Sequence, residues 1–168
     1  DGDIMIFAGD SLYNVPTNNP YTAVLKYDVA GNPLWATGCF ANGLTYFYDI
    51  LINPSQELVL CGTSEGPGHF GNFTLPATGT TQGVAYVAKL NPNGDLLWYK
   101  TSAIIGSGNF FGIDTFPGGE YVVTGSYPPE AAFQVPYRIG CFSSELGYYD
   151  MQTFRLSENS EPVPVAYY

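Results

Sequence analysis

Leu25-Lys26-Tyr27-Asp28-Val29-Ala30-Gly31-Asn32-Pro33-Leu34-Trp35 aligns without a gap to Ala88-Lys89-Leu90-Asn91-Pro92-Asn93-Gly94-Asp95-Leu96-Leu97-Trp98, at an offset of 63 residues in which Lys, Gly, Leu and Trp coincide. Both tryptophans of the chain fall on one equivalent position. A repeat of this kind decides the whole fold, because each copy must be one supersecondary unit that stacks on its neighbours. Gly31 and Gly94 sit in corresponding turns, where a left-handed residue is needed and Gly supplies it at no steric cost.

Working outward, an apolar strand closed by Gly occurs three times: Met5-Ile6-Phe7-Ala8-Gly9, Leu58-Val59-Leu60-Cys61-Gly62 and Tyr121-Val122-Val123-Thr124-Gly125. A further unit precedes two of these, Tyr48-Asp49-Ile50-Leu51-Ile52-Asn53-Pro54 and Phe111-Gly112-Ile113-Asp114-Thr115-Phe116-Pro117, each followed by a short polar turn that suits an antiparallel hairpin. The unit is therefore four strands: one before the hairpin, the Gly-ended strand, a Lys-bearing strand and a Trp-bearing strand. The stretch from Ser64 to Gly83 reads as a lengthened connection. The pattern predicts strands at 4–9, 21–29 and 33–40, then 46–53, 57–63, 84–91 and 95–102, then 109–116 and 120–126, with two more near 136–143 and 147–156 that keep neither Lys nor Trp.

Composition agrees. The chain has 168 residues, 45% apolar and 16% aromatic, with 20 Gly and 13 Pro, which favours short strands and frequent turns over helices. Fifteen acidic residues against five basic ones give a net charge of -10, which argues against nucleic acid as a partner. No apolar run reaches the roughly 20 residues of a membrane-spanning helix. The chain opens at Asp1 rather than Met, which fits a processed or trimmed chain.

Four-stranded repeats of this length are the mark of β-propeller blades. Phe70-Gly71-Asn72-Phe73-Thr74-Leu75, Ala85 to Trp98, Gly112-Ile113-Asp114 and Tyr121 to Gly125 resemble the SBBP-type propeller repeat of secreted bacterial cell-surface proteins, best over 46–127. The turn Gly before a Trp is also similar to the quinoprotein-type propeller repeat. The first resemblance implies an extracellular or cell-surface location and a structural or binding role, with no catalytic residue to carry over. The expected fold is all-β, with propeller-like blades of four antiparallel strands: a partial blade 1–45, a blade 46–108, a degenerate blade 109–157, and an extended linker or arm 158–168. About two and three-quarter blades make an incomplete ring. Further blades of the same protein, other chains, or copies of this one are expected to cover the exposed edges.

Candidate chemistry is sparse. His69 is the only histidine, so a nucleophilic triad would have to use it, and no Gly-x-Ser-x-Gly elbow is present. Asn91, Asn93 and Asp95 alternate like the opening of a calcium loop but lie in a hairpin turn without a downstream Glu, so turn chemistry explains them. Glu57 and Glu120, and within a residue Asp49 and Asp114, occupy matching places in two repeats, which suits blade features better than a catalytic pair. No cofactor or metal is expected. Lys26 and Lys89 read as repeat residues lending cations to an acidic surface, and Trp35 and Trp98 as packing between blades. Cys39, Cys61 and Cys141 read as buried hydrophobes, with a Cys39–Cys61 bridge as the alternative. For binding, the aromatic residues Tyr46, Tyr48, Phe110, Tyr148 and Tyr149 are the candidates, since aromatic faces suit protein hot spots and sugar rings alike. The expected function is a non-catalytic module that binds a partner protein or surface polymer. The alternatives are a carbohydrate-binding propeller closed by oligomerisation and, behind it, a propeller-type hydrolase.

Overall fold

β-branched and aromatic runs cut by Gly, Pro and Asn favour strands over helices, and in the computed structural model the described residues form only strands and the turns between them. It describes residues 3–7, 10–15, 22–41, 43–71, 73–75, 83–101, 108–116, 120–127, 139–143 and 150–156. In chain order the strands are β1 (Asp3–Phe7), β2 (Asp10–Val15), β3 (Thr22–Tyr27), β4 (Pro33–Ala41), β5 (Thr45–Ile52), β6 (Leu58–Ser64), β7 (Gly68–Phe70), β8 (Phe73–Leu75), β9 (Val84–Leu90), β10 (Leu96–Thr101), β11 (Asn109–Phe116), β12 (Glu120–Tyr127), β13 (Ile139–Ser143) and β14 (Asp150–Leu156).

They form three four-stranded antiparallel sheets and one hairpin. The sheet orders are β3-β4-β7-β8, β10-β9-β6-β5 and β11-β12-β14-β13, with β1-β2 as the two-stranded unit. The middle sheet is covered on both faces. Its strands β6 and β9 are buried at every position, and alternate side chains go to opposite cores. Leu58, Leu60, Tyr86, Ala88 and Leu90 pack with Cys39, Phe70 and Leu75 of the first sheet. Val59, Cys61, Ala85 and Val87 pack with Phe110, Ile113, Tyr121 and Val123 of the third. Three sheets thus stack face to face through two apolar cores, and it is the near-continuous apolar runs of β6 and β9 that allow a sheet to be buried on both sides.

Three expectations of the sequence are corrected here. The stretch after Ser64 is no simple connection: β7 and β8 make a hairpin that adds to β4 of the preceding sheet, with Cys39 opposite Phe70 and Ala41 opposite Gly68. Burial of Phe70 and Leu75 in the core between the sheets holds it there, and the blade boundary at 45/46 is crossed by this exchange. Secondly, strand 4–9 was expected beside 21–29. Instead β1 pairs with β2, and among the described residues β3 is an edge strand. Thirdly, the last two strands are exchanged in space. β14, not β13, lies against β12, paired without interruption from Tyr121↔Leu156 to Tyr127↔Asp150, while β13 sits at the edge. That register places Arg155 opposite Val122, as Lys89 stands opposite Val59 in the middle sheet. The cation of the repeat is therefore kept in the third copy, on the strand that reaches the inner position. Gly9, Tyr148, Tyr149 and the arm 158–168 lie outside the described residues.

Candidate functional site

The Gly-ended strands have a steric origin. β5 carries a bulge between Phe47 and Asp49, opposite Gly62 and Cys61, and β11 repeats it between Phe110 and Gly112, opposite Gly125 and Thr124. A bulge bends its strand and brings the backbone close to the partner. A Cβ on Gly62 would lie 1.9 Å from the Tyr46 carbonyl oxygen, and one on Gly125 2.0 Å from that of Asn109. Only Gly fits at either place. The extra residue of each bulge is Tyr48 in β5 and Phe111 in β11, and both project from the edge strand of their sheet.

These two rings meet. Tyr48 and Phe111 stand edge to face with centroids 5.1 Å apart, and Tyr46 stacks on Tyr48 at 6.0 Å. All three are exposed, so a ridge of aromatic rings runs across the junction of two sheets. Partial burial raises the Tyr48 hydroxyl above the ordinary tyrosine range. Beneath the ridge Asp49 ties the sheets together: its Oδ2 accepts the Ile113 N–H at 3.0 Å and its Oδ1 accepts the Ile50 N–H at 2.9 Å. Beside the ridge, an apolar cleft of about 330 Å³ opens between Ala23, Val24 and Leu25 of β3 and Phe47, Tyr48 and Ile50 of β5.

The structure thus brings Tyr46 and Tyr48 together but removes Phe110 from the site. Phe110 is 1% exposed and belongs to the core between the second and third sheets; its neighbour Phe111 occupies the surface place, because the bulge shifts the alternation by one residue. The sequence reading selects Phe110, and the alignment of Tyr48 with Phe111 in the two repeats is the signal that chooses Phe111 instead. Asp49 and Asp114 are not equivalent: Asp49 stands opposite Cys61, whereas Asp114 stands opposite Val122 and so matches Leu51.

The remaining repeat residues are structural. Lys89 is no surface cation; it is buried and its Nζ is 2.7 Å from Glu57 Oε2, with the Tyr121 ring 6.0 Å away. The hydrogen bond from Lys89, followed by that from Asn53, holds the Glu57 carboxyl below its usual range. Lys26 Nζ and Trp35 Nε1 both donate to the Pro92 carbonyl oxygen, at 2.9 and 3.0 Å, so the first sheet grips the turn of the second. Trp98 packs against the core at the third sheet, near Tyr121.

Asn91 and Asp95 close their own turn: Asn91 Oδ1 accepts from the Asn93 and Asp95 N–H groups, and Asn91 Nδ2 donates to Asp95 Oδ2. Cys39 and Cys61 are free and lie in different cores, which rules out the bridge between them. Burial pushes both thiols up to about 12. His69 is exposed on β7, 3.5 Å from the Thr74 hydroxyl, and among the described residues no three His, Cys, Asp or Glu side chains are grouped to hold a metal ion. No helix among the described residues is long and apolar enough to cross a membrane. No protein-family model matches the chain, and no curated protein matches it.

Proposed function

We propose that the chain is a non-catalytic recognition module of an extracellular or cell-surface protein, built of propeller-like blades, and that it binds a partner protein or surface polymer through the ridge of Tyr46, Tyr48 and Phe111. The observation that carries this reading is the ridge itself: three exposed aromatic rings in mutual contact across two sheets. Aromatic rings exposed together and held by a rigid scaffold provide large contact area at little cost in conformational entropy. Asp49, which ties β5 to β11, is that scaffold.

A specific observation favours a carbohydrate as the polymer. Tyr48 and Phe111 occupy the same bulge position in successive repeats, so each repeat contributes one exposed aromatic ring to the ridge, which suits a polymer of repeating sugar units. Binding to a panel of immobilised glycans and cell-surface polymers, compared between the wild-type chain and the double variant Tyr48→Ala/Phe111→Ala, tests both forms. Loss of about tenfold or more in affinity with an unchanged unfolding transition is expected. Binding that survives the double substitution intact would remove the ridge from the function.

A further inference from the structure

The three sheets differ in what lies inside their cation-bearing strand. In the middle sheet β9 is followed by β6 and then β5, and in the third β14 is followed by β12 and then β11. In the first sheet β3 carries Lys26 and is itself the edge: β4 pairs with one side, and among the described residues no strand pairs with the other. The neighbouring face registers the difference. Ile50 and Ile113 hold the same place, immediately after the bulge, yet Ile113 is 8% exposed and Ile50 is 47% exposed. Ile113 is covered by Val59 and Cys61 of the middle sheet, whereas Ile50 looks into the cleft beside β3. Among the described residues, no strand fills the two places inside β3.

We propose that the free edge of β3 is a strand-acceptor site, and that its occupant is the β1-β2 hairpin of a second copy of this chain, with β1 against β3. The identity of the strand follows from the repeat. Met5-Ile6-Phe7 begins the third copy of the Gly-ended element, and the other two copies, β6 and β12, are the strands that lie directly inside the cation-bearing strand of their sheets. The register of β6 on β9 sets Leu58 opposite Leu90, Val59 opposite Lys89 and Leu60 opposite Ala88. Transferred to β3, it places Met5 opposite Tyr27, Ile6 opposite Lys26 and Phe7 opposite Leu25.

The chain's own connections select a second copy. With β1 antiparallel to β3 and β2 still paired outside it, β2 would run parallel to β3 in one sheet. Such parallel strands need a connection of about a dozen residues or more, and only residues 16–21 lie between β2 and β3. A hairpin from another copy has no such tether, and its two strands fill both open positions. Backbone hydrogen bonds to the unpaired edge supply the attraction, as in other cases of strand addition. Each copy carries a net charge of -10, so the copies repel at long range and association strengthens as salt screens that repulsion.

The test mixes two full-length single variants carrying different tags, Phe7→Cys and Leu25→Cys, under mild oxidation. A disulfide joining the two tags is expected at least tenfold above that in a mixture of Phe7→Cys with Lys100→Cys, an exposed position on β10, and it should increase with salt. The wild-type chain, which needs no substitution, should show by light scattering a mass that rises with concentration in whole multiples of the chain. No tag-to-tag disulfide above the control would overturn the proposal. So would closure of the double variant Phe7→Cys/Leu25→Cys within single chains only, or a wild-type mass fixed at one chain across concentration and salt.

Discussion

Gly31 and Gly94 have nearly the same backbone, φ +85° and +89°, but different surroundings: a Cβ on Gly31 meets nothing within 4 Å, while one on Gly94 would lie 2.8 Å from Trp35 Cε3. Replacing either by Ala places a side chain in the left-handed region, at a cost of about 1–2 kcal/mol. Gly94→Ala also drives the Trp35 ring off the turn and should cost a further 1 kcal/mol or more, in the range of overpacked cores. Urea unfolding of the two variants reads this difference directly, and equal losses would mean that the grip of Trp35 on the next sheet contributes nothing. The thiols offer a second check. With Cys39 and Cys61 pushed up to about 12 by burial, both should resist alkylation in the native chain at pH 8 and react on unfolding, as peptide mapping after labelling would show. The turn glycines and the two tryptophans were legible in the sequence because a backbone need and a repeated contact each leave one residue type behind. The choice of Phe111 over Phe110 was legible only through the alignment of Tyr48 with Phe111 and not from local alternation, since a bulge resets alternation through the partner strand rather than through its own residues.

Three turns share one construction. In 28–32, 53–57 and 91–95 the first residue's side-chain oxygen accepts the N–H of the fifth, and the two side chains bond to each other: Asp28 with Asn32, Asn53 with Glu57, Asn91 with Asp95. Amide and carboxylate exchange places between the first and third turns, so the pair is kept while the order is not. The middle turn does more, because Glu57 also meets buried Lys89. Glu57→Gln should therefore cost about 1.5–3 kcal/mol, the range of a hydrogen bond to a charged group. The pH dependence has a definite sign. The Glu57 carboxyl is depressed in the fold below its ordinary 4.5, so its contribution is complete above pH 4.5 and is lost as pH falls through the lower folded value. The wild type should lose more stability than Glu57→Gln between pH 6 and pH 3, measured by denaturant midpoints; parallel losses would exclude the pair as the cause. At this scale four strands per repeat could be read from the alternation and the turns. The β7-β8 hairpin could not, because its anchors Phe70 and Leu75 are two apolar residues in a polar stretch, and what buries them is the preceding sheet.

For the whole molecule, the all-β class was legible because strands buried on both faces write themselves as unbroken apolar runs, Leu58 to Cys61 and Val84 to Ala88. The spatial order of the last sheet was hidden, since which of two late strands lies beside β12 depends on long-range pairing rather than on local pattern. The stack implies a gradient of stability. Opening β6 or β9 exposes the fully buried side chains of both cores at once, whereas opening β3 or β5 exposes only the half-buried side chains of an edge strand, and local opening costs least where least apolar contact is lost. Native-state hydrogen exchange should then find the slowest amides in β6 and β9, with protection approaching that of global unfolding, and faster exchange in β3 and β5. Leu60→Ala and Val59→Ala, which face different cores from adjacent positions of β6, should each lower the protection of β6 and β9 together; large-to-small changes of this kind cost about 2–5 kcal/mol for Leu. If Val59→Ala weakened only β11 and β12 while β9 kept its full protection, the sheets would be opening independently, and the middle sheet would not be the common support of the two cores.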